Sequence, residues 1–589
     1  MNVQEKEILI RGTPICRGIA IGYPIFIKIP ENSIPEISVT SQEVEGEIVR
    51  YQTAVIRGRE EIQLLQKRLR NQDIADGVDI LDSHLQIMRD PLLTTAVEER
   101  IRKTHKNAEH AFYSLVKECQ RKFDSVKDPF FQERYKEIQD IYRRVLRHLR
   151  NDEQAGLSDI PENSIIIAQD ITALDTAEAD NNRIGAFITK CGGATSHAAI
   201  VAKAKGIPYV TSIDFEEFEI TENMQIIVDG RTGDIVLNPS AETLIKYERL
   251  RDRLHTHFQS LTQQGGLESE TYDGYKVGLS ANIEMFNELE MLHQFGGSGV
   301  GLLRTESTFL SRDSFPSEEE QFAVYRHFVE KAKGLPIVIR TFDLGGDKHL
   351  VNQKISYECN PFLGCRAIRF SLKEKDIFKV QLRAILRASA YGDVHIMFPM
   401  VSALSELLEA KDLLENVRQE LISKNVPLGE KLRIGCMIEV PSAAIIADLL
   451  AKECDFLSIG TNDLVQYALA VDRSNNALSH LYTPTHPGIL RLIRLVVTEA
   501  NHQGVPVTVC GEVAADPRFT PLLLGLGVHE LSVASRHLPI IKNAIRNTSI
   551  VAASKLAEKA LTLSSAAEVE ELIQREYRRS VPEDCFYNC

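Results

Sequence analysis

Between residues 269 and 589 the chain keeps one rhythm, a short apolar run followed by a helical or irregular segment. Eight such runs stand out: VGLSANI, GVGLLRTE, IVIRTFDL, VHIMFPM, RIGCMIEVP, FLSIGTN, VTVCGE and ELSVAS. Short apolar runs suit strands buried on both faces, and helices between them make each connection a parallel crossover. Eight successive β/α units predict a closed (β/α)8 barrel. An open doubly wound sheet is the alternative, and the count favours closure.

The first half reads differently. Isoleucine-rich strands, EILIRG and GIAIGYPIFIKI, open the chain. Charged, glycine-poor helices follow, such as EGEIVRYQTAVIRGREEIQLLQKRL and DIYRRVLRHLR, with turns at Pro91 and Pro129. Strands return as SIIIAQD, IGAFITK and PYVTSI, then as the hairpin MQIIVDGRTGDIVLNP, for which Asp229-Gly230 is the turn signal. Strands on both sides of a helical block predict one α/β domain, residues 1–35 and 151–240, with a helical bundle inserted at 36–150. A separate N-terminal hairpin is the blander alternative. Residues 241–268 read as a charged linker helix and a hinge, with Gly265 and Gly266 as candidates to absorb motion, and 269–589 as the barrel. A chain of 589 residues exceeds one core, so a multidomain α/β protein is expected.

The formal net charge is −14, which argues against broad binding to nucleic acid or anionic membranes. Any anion site must therefore gather arginine locally. The start, MNVQEKEILIRG, lacks an apolar signal core, and no apolar run reaches the roughly 18 residues of a membrane helix. Ten cysteines are scattered without metal-type spacing, the closest set being Cys585 and Cys589 at the very end. A cytoplasmic protein with reduced thiols is expected.

Barrel chemistry projects from the C-terminal ends of the strands. Those ends carry Arg304 and Glu306, Arg340 and Asp343, Glu439, Asn462 and Asp463, and Cys510 and Glu512. Arg366 follows in NPFLGCRAIR, and Arg473 is expected to close the helix LVQYALAVDR. One strand-end arginine commonly serves a structural ion pair. Arg304 and Arg340 on neighbouring strands of an acidic chain suggest a converging site for phosphate or carboxylate. Glu439 and Asp463 can share a divalent cation, and an all-oxygen site completed by substrate suits Mg²⁺. Either carboxylate could instead hold an arginine, a reading that fits Asp343 and Glu306 better. Cys510 reads as core filler from spacing alone, or as a proton-transfer group from its place at a strand end.

In CGGATSHAAIVAKAKG, Gly192 and Gly193 supply a tight turn, Thr195 and Ser196 are N-cap candidates, and Gly206 closes the helix. His197 then sits in the first turn. There the helix dipole keeps the imidazole neutral, and backbone N–H groups can hold a phosphoryl group. The competing reading is a histidine of the cap region with no chemical role.

In chain order the motifs are GGATSHAAI, GVGLLRTE, RTFDLGGDK, NPFLGCRAIR, IEVPSAA, SIGTNDLVQYALAVDR and CGEVAAD. Together they resemble the enzyme I family of the bacterial sugar phosphotransferase system, over nearly the whole chain. The resemblance implies a relay. Phosphoenolpyruvate and Mg²⁺ bind the barrel, and a swivelling domain takes the phosphoryl group on His197 and hands it to the histidine of the carrier HPr. It implies that Thr176 steadies the phosphohistidine and that Arg304, Arg340, Arg366, Asn462 and Arg473 grip substrate. It further implies that Glu439 and Asp463 hold Mg²⁺ and that Cys510 protonates the enolate as pyruvate forms. DILDSHLQIMRDP resembles the docking helix for HPr, with an amphipathic core helix as the alternative. A homodimer through the C-terminal domain is also implied.

Two positions depart from the family: Ala194 stands where arginine is usual, and Cys365 where a large aromatic residue is usual. They lend weight to a non-catalytic regulator that binds phosphoenolpyruvate or HPr. A truncated relative of pyruvate phosphate dikinase or phosphoenolpyruvate synthase is the other alternative. It is disfavoured because no Gly-rich nucleotide segment precedes residue 150.

Overall fold

The computed structural model describes residues 7–27, 34–71, 81, 84–90, 93–124, 129–150, 160–180, 183–193, 196–286, 288–306, 315–345, 360–472 and 476–581. It divides into two compact units, Met1–Asp252 and Arg253–Cys589. The helix Ala241–Gln263 carries the chain from one to the other.

In the first unit, eight strands form one mixed sheet in the order β1-β8-β7-β3-β4-β5-β6-β2. They are β1 (Ile8–Arg11), β2 (Thr13–Cys16), β3 (Ile19–Ile27), β4 (Ser164–Ala168), β5 (Ile184–Thr189), β6 (Tyr209–Thr211), β7 (Ile226–Asp229) and β8 (Asp234–Leu237). β1 and β2 lie on opposite edges, yet only Gly12 separates them, so the sheet must roll until its edges meet. A Cβ at Gly12 would come 2.6 Å from the Thr211 carbonyl oxygen, which explains glycine at the crossing. Both faces of β4 are covered. Ile165 and Ile167 join the core lined by β7 and β8, whereas Ile166 and Ala168 pack with the helix His197–Lys205. That accounts for the unbroken run SIIIA where a one-faced strand would alternate.

The helical bundle interrupts the sheet between β3 and β4. Among the described residues its helices include Val44–Asn71, Thr95–Thr104, Ala108–Asp124 and Pro129–Arg150. Its core reaches Ala173, Leu174, Ala177 and Val201 of the α/β part. Arg144 crosses the same seam, pairing with Glu178 and, at 2.9 Å, with Glu61. The segment expected to dock the carrier is described only at Leu81 and 84–90. There Leu81, Leu85, Ile87 and Met88 are buried in the bundle core.

In the second unit, β9 (Gly278–Ile283), β10 (Val300–Leu303), β11 (Ile337–Arg340), β12 (Val394–Phe398), β13 (Arg433–Ile438), β14 (Phe456–Ile459), β15 (Val507–Val509) and β16 (Glu530–Ala534) close into a barrel. All eight pairings are parallel. Every apolar run picked out in the sequence supplies one strand. Outward-facing residues such as Ile339, Ile396 and Leu457 join the layer under the helices. Leu302, Val338, Met397, Met437, Phe456 and Cys510 cluster separately from that layer.

Three local expectations are corrected. The hairpin β7–β8 pairs Asp229 with Asp234, so its loop is Gly230–Gly233 rather than a two-residue Asp-Gly turn. The helix beginning at Thr461 stops at Leu469, because Ala470 turns left-handed at φ 53°. It therefore does not run on to Arg473, which lies outside the described residues. Gly265, expected as a hinge, is held by the buried Lys542, whose Nζ donates to its carbonyl at 2.8 Å. A Cβ there would meet the Gln294 carbonyl oxygen at 2.4 Å. Close packing, not freedom, demands glycine at this point.

Candidate active site

The C-terminal ends of the barrel strands carry a buried ionic cluster. Arg340 closes β11 and donates to Glu306 at 2.7 Å, with Asp343 at 3.3 Å on its other arm. Arg366 forks onto Asp343 at 2.8 and 3.0 Å and reaches Asp463 at 3.0 Å. Its remaining nitrogen donates to the Tyr467 hydroxyl, which donates to the Phe362 carbonyl. Burial works against the charge on Arg340, but Glu306, Asp343 and Glu439 more than offset it, and the pKa rises. As expected from sequence, Glu306 and Asp343 are partners of arginine.

Backbone geometry holds the cluster in place. Met400 takes φ 55°, uncommon for a side chain of its size, and its N–H donates to Glu439 Oε1 at 2.7 Å. Gly460 sits so close that an added Cβ would lie 2.7 Å from Glu439 Oε2. Four carboxyl groups (Glu306, Asp343, Glu439, Asp463) face two guanidiniums. Burial first, then the charges of Asp463 and Asp343, push Glu439 up to about 8, so it keeps its proton at neutral pH.

This excess of acid bears on metal binding. Among the described residues no group of three or more His, Cys, Asp or Glu side chains could cage an ion. Glu439 and Asp463 are the available pair. Asp463 pairs with Arg366 through one oxygen, while its buried Oδ1 has no hydrogen-bond partner. Arg340 Nε, Thr341 Oγ1 and Thr461 Oγ1, on the same strand ends, are buried and unpartnered as well. Buried polar atoms are rarely left so. Two carboxyl groups with spare oxygens, needing substrate and water to complete the shell, fit Mg²⁺ once the cation displaces the proton of Glu439.

The other sequence candidates in the barrel spread around this cluster. Arg304 stands apart, its side chain 46% exposed and its nearest acid, Glu284, at 3.9 Å. Asn462 accepts the Glu512 N–H at 2.9 Å, and its carbonyl accepts from Tyr482. Cys510 is buried, and burial is the main cause that pushes its thiol up to about 11. It is therefore a thiol at neutral pH, able to give a proton. Sequence reasoning missed Tyr467, Thr461 and Asn282. The polar Asn282 inside the strand run GLSANI was the available signal.

His197 belongs to the first unit, where it opens the helix His197–Lys205. Ser196 is the N-cap, its Oγ accepting the Ala199 N–H at 3.2 Å; Thr195 and Ala194 fall outside the described residues. Gly192 has φ +132°, and a Cβ there would lie 2.7 Å from the Tyr209 hydroxyl. The loop rests on buried hydroxyls. Thr189 Oγ1 donates to the Cys191 carbonyl at 2.6 Å and lies 3.0 Å from Tyr209 Oη and 2.9 Å from Thr211 Oγ1. Gly206 ends the helix left-handed at φ 70°, and the last residue, Lys205, donates to the carbonyls of Ala177 and Ala179. Thr176, on the adjoining helix Ala173–Glu178, is fully buried and donates to the Thr172 carbonyl at 2.8 Å.

Known proteins match this arrangement in chain order. Family models for PEP-utilising enzymes match as the N-terminal domain over residues 11–134, the mobile domain over 160–233 and the PEP-binding domain over 259–550. The phosphoenolpyruvate-protein phosphotransferase of Priestia megaterium is 38% identical, the match covering 96% of this chain and 98% of the relative. Those of Staphylococcus carnosus (strain TM300) and Bacillus subtilis (strain 168) are each 37% identical over 97% of this chain, covering 99% and 100% of the relative. No helix among the described residues is long and apolar enough to cross a membrane. With more than a third of positions identical across both units, the chain belongs to the phosphoenolpyruvate-protein phosphotransferase family of PEP-utilising enzymes.

Proposed function

We propose that this chain takes the phosphoryl group of phosphoenolpyruvate onto His197, releases pyruvate, and passes the group to the histidine of HPr. This would be the first step of sugar uptake by a phosphotransferase system, in the cytoplasm. The observation that carries the reading is the buried cluster whose polar atoms lack partners: Arg340 Nε, Thr341 Oγ1, Thr461 Oγ1 and Asp463 Oδ1. A phosphate and a carboxylate supply the oxygens that such donors need, and a cation supplies the charge that Asp463 Oδ1 needs.

Arg340 and Arg366 are braced by carboxylates and bind substrate oxygens in fixed orientations, with Arg304, Asn462 and Arg473 closing on the remainder. Glu439 and Asp463 would hold Mg²⁺, which would supply positive charge to stabilise the phosphoryl oxygens and the forming enolate. Transfer to His197 breaks the bond between phosphorus and the enol oxygen, whose electron pair stays on the enolate. Cys510 gives its proton to the methylene carbon. The helix N-terminus at His197 disfavours imidazolium, leaving a ring nitrogen free to attack, and Thr176 turns its hydroxyl to the phosphohistidine. The bundle offers the carrier a platform, and the barrel unit forms a homodimer.

Incubation with ³²P-phosphoenolpyruvate and Mg²⁺, without ATP, tests this. Acid-labile, alkali-stable label should appear on the wild type and be absent from His197→Ala. Unlabelled wild type would favour the non-catalytic regulator, and undiminished label on His197→Ala would place the nucleophile elsewhere.

A further inference from the structure

Asn282 carries no charge and touches none of the arginines described above, yet its side chain is fixed at both ends. From β9 it reaches past β16, where its Nδ2 donates to the Cys510 carbonyl at 2.9 Å. Its Oδ1 accepts from Ser532 Oγ, on β16, at 2.7 Å. An amide in a barrel of apolar strands needs such partners to be tolerated. What matters is which atom it was given. The Cys510 N–H already donates to the Ile459 carbonyl at 3.1 Å. With the carbonyl held by Asn282, the peptide planes on both sides of the Cys510 Cα are pinned.

The turn beyond is equally constrained. A Cβ at Gly511 would lie 1.8 Å from Thr461 Oγ1, so the chain passes where only glycine fits. Glu512 then donates its N–H to Asn462. Only rotation about χ1 is left to the thiol, and Sγ makes a long contact of 3.6 Å with the Ile459 carbonyl. The Ser458 side chain is its other hydrogen-bonding neighbour, and because sulfur is a weak donor and acceptor neither contact fixes the thiol by itself. The backbone must do so, and among the described residues Asn282 is the side chain that grips that carbonyl.

We propose that Asn282, oriented by Ser532, is a positioning residue that aims the Cys510 thiol at one face of the enolate. This rests on the reading of Cys510 as proton donor. Once the phosphorus–oxygen bond has broken, the methylene carbon takes the proton from Sγ. The thiolate left behind recovers a proton from water after pyruvate departs. A thiol aimed at one face delivers its proton to that face; a misaimed thiol lets enolpyruvate escape and ketonise in water, from either face.

The product methyl group records the difference. Phosphoenolpyruvate tritiated in one position at C3, turned over in D₂O, gives a methyl group bearing H, D and T, whose configuration can be read. Label on His197 is followed in parallel. Wild type should give one configuration. Asn282→Leu should load His197 at a rate within about threefold of wild type, yet yield a near-racemic methyl group, with pyruvate formation slowed about 10- to 100-fold. Ser532→Ala should give a partial loss of configuration. A merely structural asparagine would lower stability and leave the configuration untouched.

Cys510→Ala separates the two ways to fail. Retained configuration in Cys510→Ala removes the proton-donor reading, and the proposal with it. Racemic product from Cys510→Ala but a single configuration from Asn282→Leu leaves the donor standing and overturns the role of Asn282. If Asn282→Leu does not fold, Ser532→Ala decides, and wild-type configuration there overturns the proposal.

Discussion

The two halves of this molecule hold their chemistry in opposite ways. In the barrel unit, Arg340 and Arg366 are locked by carboxylates, buried, and backed by a strained Met400 and a closely packed Gly460. In the first unit, the loop before His197 has a partly exposed ion pair at its start, Lys190 with Asp214 at 2.8 Å, in place of a buried ionic cluster. It is shaped by Gly192, by the Ser196 cap and by neutral hydroxyls underneath. The contrast follows from the tasks proposed. A site that strips a phosphoryl group from its donor gains from fixed charge aimed at the transition state. A residue that must later give the group away gains from weak, neutral support, since each added charge would deepen the intermediate and slow its discharge.

The sharpest way to break this comparison is to remove a fixed charge. Arg340→Met should lower kcat/KM for phosphoenolpyruvate by about 10²–10³-fold, the size expected for a lost transition-state donor. It should also destabilise the barrel unit by about 3–5 kcal/mol, because the buried Glu306 loses its guanidinium partner. Steady-state kinetics and calorimetry of the full chain check both. Wild-type kinetics would mean that the cluster is only a structural ion-pair network.

Removing a hydroxyl beneath the histidine loop should matter less. Thr189→Val keeps the shape but strands the Cys191 carbonyl, and should cost about 1–2 kcal/mol in stability. The rate of His197 phosphorylation should drop about 10-fold with KM for phosphoenolpyruvate unchanged, as expected for a misplaced nucleophile. Thr189→Ser should restore the rate. Equal loss in both variants would mean that packing, and not the hydrogen bond, supports the loop.

The smallest effect concerns pH and the helical bundle, where Glu61 of the first helix pairs with Arg144, Arg147 and His148 of Pro129–Arg150. Burial disfavours the Glu61 charge, but His148, Arg144 and Arg147 outweigh it and bring the carboxylate down to about 2 from 4.5. Below pH 4.5 the unfolded chain takes up the proton more readily than the folded one. The contribution is therefore present above pH 4.5 and is lost as pH falls towards 2. For a partly exposed carboxylate this amounts to about 1–2 kcal/mol. Urea unfolding of wild type and Glu61→Gln at pH 5 and pH 3 should show a shallower pH dependence in the variant. Parallel profiles would show that the pairing contributes nothing between these two helices.

Much of this architecture was legible in the sequence. Each barrel strand coincides with an apolar run, and strand ends carry chemistry in such a barrel, so Arg340, Glu439, Asp463 and Cys510 could be found without coordinates. The helix at His197 was equally plain, because its cap and its closing glycine are local signals. The loop of the β7–β8 hairpin and the end of the helix at Leu469 were misread. Both depend on single residues taking dihedrals that composition does not reveal, Ala470 above all.

The partners were out of reach. Arg366 meets Asp463 across 97 residues and Tyr467 across 101, and Asn282 meets Cys510 across 228. Periodicity fixes which face of an element is buried, but not which polar atom a distant side chain will find there. By itself, the sequence determined the two folds and the inventory of reactive groups, because both follow from local spacing and apolar pattern. The tertiary structure alone decided which carboxylates neutralise arginine and which keep an oxygen spare, since that choice is made only when closure of the barrel brings the strand ends together in a buried space.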